Sequence, residues 1–239
     1  MSAQMRITAS ELRLYLREPS AVAATLALPL LIIVAFGLVI DPAEHDPIVT
    51  YFPGLAISFS LAVLSLNLMP SILAGYREKG ILRRLYTTPV HPSKVLIGQL
   101  LVSCTVAVAL AAVVIGAGTA IGFPLPAQPL GFALAFVLGC VSLFSVGLLV
   151  AAIAPTARIA GGVGGFLFFV SMFLGGVFTP RETLPGFLGQ IGDYTPLGAT
   201  MAAIRDSWAG DFPQPLHLAV MATITVVFGL ASARLFRWE

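Results

Sequence analysis

YREKGILRRLYTTPVHPSK, residues Tyr76–Lys94, is a short basic segment between two long apolar runs, and its reading decides the fold. Four of its first nine residues are Arg or Lys. A loop that joins two membrane helices and carries this much positive charge belongs on the cytoplasmic side. Its middle has a helical design. Ile81, Leu82, Leu85 and Tyr86 gather on one face, while Lys79, Arg83 and Arg84 point elsewhere, at the three- and four-residue spacing of a helix surface. Pro89 biases Thr88 away from helical dihedrals and is expected to stop that helix. The segment reads as a docking element for something in the cytosol.

Around it the chain is greasy. Of its 239 residues 58% are hydrophobic and 10% charged, with a mean hydropathy of +0.96. A soluble domain carries roughly 25% charged residues, so the solvent for this chain must be lipid. At ~20 apolar residues per crossing, six membrane helices are expected at about 21–40, 52–75, 95–122, 130–154, 159–178 and 215–235. No charged residue occurs from Val95 to Ala157, and Phe123–Pro129 (FPLPAQP) breaks that run into two helices. Ala21–Ile40 follows Arg6, Arg13 and Arg17 as a signal peptide would. It is longer than the usual ~7–15-residue apolar core and lacks a small-residue cleavage site, so it reads as a retained span. Cys104 and Cys140 lie deep in apolar runs and read as small hydrophobes.

Six crossings put both termini on one side, and charge chooses it. The N-terminus, the 76–94 loop, Arg158, Arg234 and Arg237 hold eleven of the 13 Lys and Arg, leaving Arg181 and Arg205 opposite. Both ends are therefore expected in the cytosol. Residues 2–18 carry an apolar stripe (Met5, Ala9, Leu12, Leu16) beside a polar one, as suits a helix lying in the inner interface. It can serve as an anchor, and contact with a partner is compatible with that. The outer segment 179–214 has two apolar stripes: Leu184, Phe187, Leu188 and Ile191, then Leu197, Met201, Ile204 and Trp208. It reads as a re-entrant or lid hairpin, since backbone at that depth needs protein or water around it.

Several chemistries are missing. The two lysines, Lys79 and Lys94, follow Glu78 and Ser93, so no GxxxxGK[ST] phosphate cradle exists. His45, His91 and His217 form no HExxH motif or metal cluster. No expected span has a central Asp or Glu, which ion-coupled carriers usually need. A secondary carrier is accordingly disfavoured, and uphill transport would need energy from a partner. The spans hold few polar groups. Asn67 either binds substrate or bonds to a neighbouring helix, the latter being the plainer reading. Residues 161–165 (GGVGG) contain a Gly161/Gly165 pair that permits close backbone approach. Phe166, Phe168, Phe169, Met172 and Phe173 follow, facing lipid or lining a cavity for an apolar substrate.

These features together resemble an ABC-2 type permease, the membrane subunit of an ATP-binding-cassette exporter. The N-terminal amphipathic segment, YREKGILRRLYTTPV, and GGVFTPRETLPGFLGQIGDYTPLGATMAAIRD (Gly175–Asp206) carry the resemblance across nearly the whole chain. The loop is similar to the family's (E)RE-x-GTL-x-x-L-x-x-(T)P pattern, with Tyr76 where many members have Glu and Ile81 where Thr is common. Its Arg-Arg version looks most like the drug and antibiotic exporter branch. The resemblance implies an all-α domain over residues 1–239 with a coupling helix at about Glu78–Leu85, seated in a groove of a separate cytosolic ATPase subunit. ATP and Mg would be used by that partner, with no cofactor or metal in this chain and no catalysis by it alone. A second permease copy, identical or paralogous, would complete a membrane dimer, and no nucleic acid is involved.

Glu78, Lys79, Arg83 and Arg84 are the expected polar docking contacts, with Leu82 and Leu85 as the apolar anchor and Pro89 as the stop. Gly80 either allows close approach or tolerates the turn. Asn67, Phe168, Phe169, Met172 and Phe173 are candidate pathway residues. Pro180, Pro185, Pro196 and Arg205 mark the outer hairpin. The expected function is export of a hydrophobic or amphipathic small molecule (drug, antibiotic or lipid-like) across a bacterial cytoplasmic membrane. The alternatives are export of a lipid-linked polysaccharide and a non-transporting anchor that recruits a cytosolic protein.

Overall fold

The computed structural model describes residues 17, 19–39, 47–80, 93–177 and 186–235, and every regular element among them is a helix. The elements are α1 (Pro19–Val39), α2 (Pro47–Ala62), a π-helical segment (Val63–Leu68) and α3 (Met69–Glu78). Then come α4 (Ser93–Ile121), α5 (Pro129–Ile153), α6 (Ala157–Leu174), α7 (Gly186–Asp193), α8 (Pro196–Ala209) and α9 (Pro215–Leu235). A helix satisfies its own N–H and C=O groups, which an apolar segment facing lipid requires.

Five helical stretches are long and apolar enough to cross a membrane: Val49–Glu78, Ile97–Ile121, Pro129–Ile153, Ala157–Leu174 and Pro215–Leu235. α1 contributes a shorter apolar stretch, Thr25–Val39. Three helix ends differ from the expected ones. α2 starts at Pro47 and α3 continues to Glu78, so the helix reaches past 52–75 in both directions and into the loop. α6 stops at Leu174 rather than 178, because Gly175 and Gly176 (φ +79°) turn the chain there. The 2–18 segment apart from Arg17, and residues 81–85 of the coupling helix expected at about Glu78–Leu85, lie outside the described residues, and with them Leu82, Arg83, Arg84, Leu85, Pro89, Pro180 and Pro185.

Local chemistry sets the helix starts. Thr156 and Thr195 cap α6 and α8, their hydroxyls accepting the Ile159 and Gly198 N–H groups at 3.3 and 3.1 Å. Pro129 and Pro196 occupy first-turn positions where a missing N–H costs nothing. α8 is closed by Gly210 in the left-handed region. α8 is buried between α2 and α5: Leu197, Met201, Ile204 and Trp208, the second expected stripe, all lie in the core. The first stripe behaves differently, for Phe187 and Ile191 on α7 are exposed.

The π segment is the centre of the bundle. It ends just before Pro70, which has no N–H to give to Leu66 O in an α register or to Ser65 O in a π register. Both carbonyls turn to glycines on neighbouring helices. A β-carbon on Gly147 of α5 would stand 2.0 Å from Ser65 O, and one on Gly164 of α6 would stand 1.8 Å from Leu66 O. Only Cα–H groups fit there, and they offer the freed oxygens weak C–H···O contacts. Of the GGVGG run, Gly161 meets Ser71 and Gly165 meets Asn67 less closely, so Gly164 makes the tightest approach.

Candidate functional site: the loop-end clasp and the hairpin-end cavity

At the end of the bundle that carries the 76–94 loop, α3 grips the joint between α5 and α6. The Arg77 guanidinium donates from Nη1 to Ala152 O at 3.1 Å and from Nη2 to Ala154 O. These carbonyls belong to the end of α5, which leaves its last C=O groups without intrahelical partners. One residue on, the Glu78 carboxylate accepts the Ala157 N–H at 3.0 Å, at the first turn of α6. A cation thus sits at a helix C-terminus and an anion at a helix N-terminus, both favourable to the helix dipoles. Ala74, Ala154 and Ala160 pack beneath this clasp, their small size bringing α3 against the joint.

Glu78, expected to reach a partner, is therefore bonded within its own chain. Arg77 was not singled out as a site residue, although its place beside Glu78 at a helix end was a usable signal. Lys79 is exposed. Gly80 has φ +64°, a left-handed conformation that favours glycine in the turn, and no atom of the described residues lies within 4 Å of the position of a β-carbon.

The midplane candidates separate. Asn67 is half-buried in the π segment; its own carbonyl accepts the Ser71 hydroxyl at 2.7 Å. Phe168 is buried edge-on against Phe59, with ring centroids 5.4 Å apart, and Met172 is fully enclosed. Phe169 and Phe173 face outward, at 63% and 43% exposure. Beside them, a cavity of about 580 Å³ runs between α5, α6 and α9, from Ile153 and Pro155 up to Tyr194 and Pro196. Its walls are almost wholly apolar; neither Asn67 nor any of the named Phe and Met residues lines it.

At the opposite end, α7, α8 and α9, with Thr50 of α2, line a second, open cavity of about 580 Å³ whose walls mix polar and apolar groups. Pro196 starts α8, and Arg205 lies on the cavity wall with its guanidinium 4.9 Å above the Tyr51 ring. Tyr51 in turn donates its hydroxyl to Gly176 O at 2.6 Å. His217 of α9 is buried at 4% exposure and holds Asp193 of α7 by Nε2···Oδ1 at 3.1 Å. Its Nδ1 stands 3.9 Å from Asp206 Oδ2 on α8. Burial pushes the Asp206 carboxyl above its ordinary range, opposed by the Gln214 N–H, His217 and Arg205. Sequence reasoning left this trio out, because 24 residues and a whole helix separate Asp193 from His217.

The ABC-2 type transporter family model matches residues 5–208, which takes in α1 to α8 and with them the clasp. The chain belongs to the ABC-2 type transporter family. A daunorubicin resistance ABC transporter permease protein of Streptomyces coeruleorubidus is 26% identical over 208 residues, covering 84% of this chain and 73% of that protein. As an ABC-2 permease the chain is the multi-pass membrane subunit of an ABC transporter, and the family implies an ATPase partner.

Proposed function

We propose that this permease exports a hydrophobic or amphipathic small molecule, energised by a separate ATPase subunit docked on the 76–94 loop. The observation that carries the reading is the clasp, found in a chain of this family. Arg77 and Glu78 are the last residues of α3 before the loop, and they hold the ends of both α5 and α6. A push on the loop would reach three helices through short, charge-assisted bonds rather than through a flexible tether. The drug-resistance relative and the apolar cavity beside α6 favour a greasy cargo over a sugar chain, which would need a wide polar path.

In this reading six helices cross the membrane, both termini and the loop face the cytosol, and the α7–α8 hairpin re-enters from outside. Two permeases and two ATPases make the working unit, with ATP and Mg bound by the ATPases. Arg83, Arg84 and Lys79 supply docking charge, and Leu82 and Leu85 the apolar anchor.

The test is Arg83→Glu with Arg84→Glu in vesicles containing the permease and its ATPase. Membrane insertion is expected to persist while ATPase association and vanadate-sensitive efflux are lost. Normal efflux by this variant would sink the reading. If the ATPase binds but no substrate ever moves, the anchor alternative takes its place.

A further inference from the structure

We propose that the apolar cavity between α5, α6 and α9 holds one acyl chain of an anionic phospholipid, whose headgroup meets Arg158 and Arg234 at the loop end of the bundle. The cavity exists because its two sides are drawn apart. Gly164 brings α6 against the π segment, so α6 packs on that segment and on α3, while α9 packs along α5. α6 and α9 scarcely touch, and α5 floors the space between them.

The resulting groove has the proportions of a lipid tail. Along α6 its lining runs from Ile159 to Leu174, roughly 22 Å at the rise of a helix. A tail reaches ~15 Å, half of the hydrocarbon core, so a whole tail fits lengthwise. None of the lining residues is charged, and Leu149, Val163, Leu167, Ile224 and Phe228 offer the middle of a ligand no hydrogen bond. A helix of a second copy, ~10 Å wide with its side chains, could lie over this opening but not fill it. An alkyl chain can, and it restores dispersion contacts that an empty groove forfeits.

Charge at the loop end selects the head. Arg158 stands in the chain between Pro155 and Ile159, two residues of the groove's end. α5 and α9 start side by side, since a β-carbon on Gly131 would stand 2.8 Å from Pro213, and they run on together. Arg234 thus comes near the depth of Ile153, another residue of that end. Both arginines are exposed, and neither has a side-chain partner among the described residues. The other described charges there are Arg77, Lys79 and one acid, Glu78, so this end is net cationic. Long Arg side chains reach past an apolar edge to the headgroups, and basic groups between membrane helices bind anionic ones. In the orientation proposed above, this is the cytoplasmic leaflet, and a greasy cargo would have to displace the tail. That competition rests on the transport reading; the lipid binding does not.

The experiment strips the purified full-length permease of lipid in dodecyl maltoside, without ATPase. Palmitoyl-oleoyl phosphatidylglycerol or the matching phosphatidylcholine is then titrated in, and complexes are counted by native mass spectrometry. Phosphatidylglycerol is expected to bind at least about tenfold more tightly. Arg158→Gln with Arg234→Gln should erase that preference while the choline lipid binds as before. Val163→Trp and Val170→Trp, which fill the groove, should each weaken both lipids at least about tenfold. Val108→Trp, at an exposed position of α4 outside the groove, should not. Equal affinity for the two lipids, a preference that survives the loss of both arginines, or lipid binding untouched by both groove-filling changes would overturn the proposal. A wild type that binds no lipid but pairs with a second copy, the pair being broken by Val163→Trp and Val170→Trp, would make the groove an interface between copies instead. Glycerol phosphate that competes as well as the whole lipid would show that no tail is held, and would also overturn it. Absence of ATP-driven efflux with lipid binding intact would count against the transport reading alone.

Discussion

The Glu78 carboxylate accepts the backbone N–H of Ala157 at 3.0 Å, and through that bond the last residue of α3 becomes part of the α6 N-terminus. Arg77 completes the grip on the other side of the joint. Removing either side chain should loosen the joint, by unequal amounts. Glu78→Ala loses one dipole-aligned bond at an exposed position, a cost of about 0.5–1 kcal/mol. Arg77→Ala strands two carbonyls at a half-buried site, about 1–3 kcal/mol. Denaturant unfolding of the purified permease in detergent would check both. Equal, negligible losses would mean that water replaces the clasp without penalty.

Gly164 and Gly162 lie two residues apart on α6 and should respond oppositely to the same change. A β-carbon at 164 collides with Leu66 O, whereas at 162 nothing stands within 4 Å. Gly164→Ala is expected to cost about 1–3 kcal/mol through overpacking, and Gly162→Ala to be neutral or slightly stabilising through its better helix propensity. Matching unfolding curves for the two variants would show that α6 does not rest on the π segment.

Gly80→Ala isolates the turn that leads into the loop. The left-handed φ of +64° costs an L-residue roughly 1–2 kcal/mol, while no atom of the described residues crowds the site. Gly80→Asn should recover part of that loss, because Asn tolerates this conformation better. Comparing both variants for stability and for ATPase-coupled efflux would show whether the turn matters beyond its backbone geometry.

Hydropathy revealed the long helices because lipid leaves a spanning segment few other ways to satisfy its backbone. The same physics makes packing hard to read. In α6 the sequence drew attention to Gly161 and Gly165, spaced by four, yet the closest contact falls at Gly164. That choice depends on the Leu66 carbonyl of the π segment, on another helix, lying against it. The aromatic run after it looked like one stripe. Its members divide between core (Phe168) and surface (Phe169), since residues one apart in a helix face about 100° apart. Arg77 and Glu78 advertised charge at a helix end, but their partners lie more than seventy residues away. The His217 site was the least legible, assembled from three separate helices whose order in the chain says nothing of their distance.

Asp206 gives the stability of the hairpin end a distinctive pH dependence. Burial is the main influence on its carboxyl and raises it in the folded protein, outweighing the Gln214 N–H, His217 and Arg205, which lower it. A carboxyl raised on folding favours the native state while protonated, and that contribution disappears as pH climbs through the folded value. At neutral pH the ionised group is therefore a liability to the fold. Asp206→Asn keeps the shape and removes the charge, so without ligand it should unfold at a higher temperature than the wild type at about pH 7. The difference should close toward about pH 4, near the ordinary range for Asp. Thermal unfolding across that interval would check it. A wild type more stable than Asp206→Asn at neutral pH would mean that the attraction of Asp206 to His217 and Arg205 outweighs its burial.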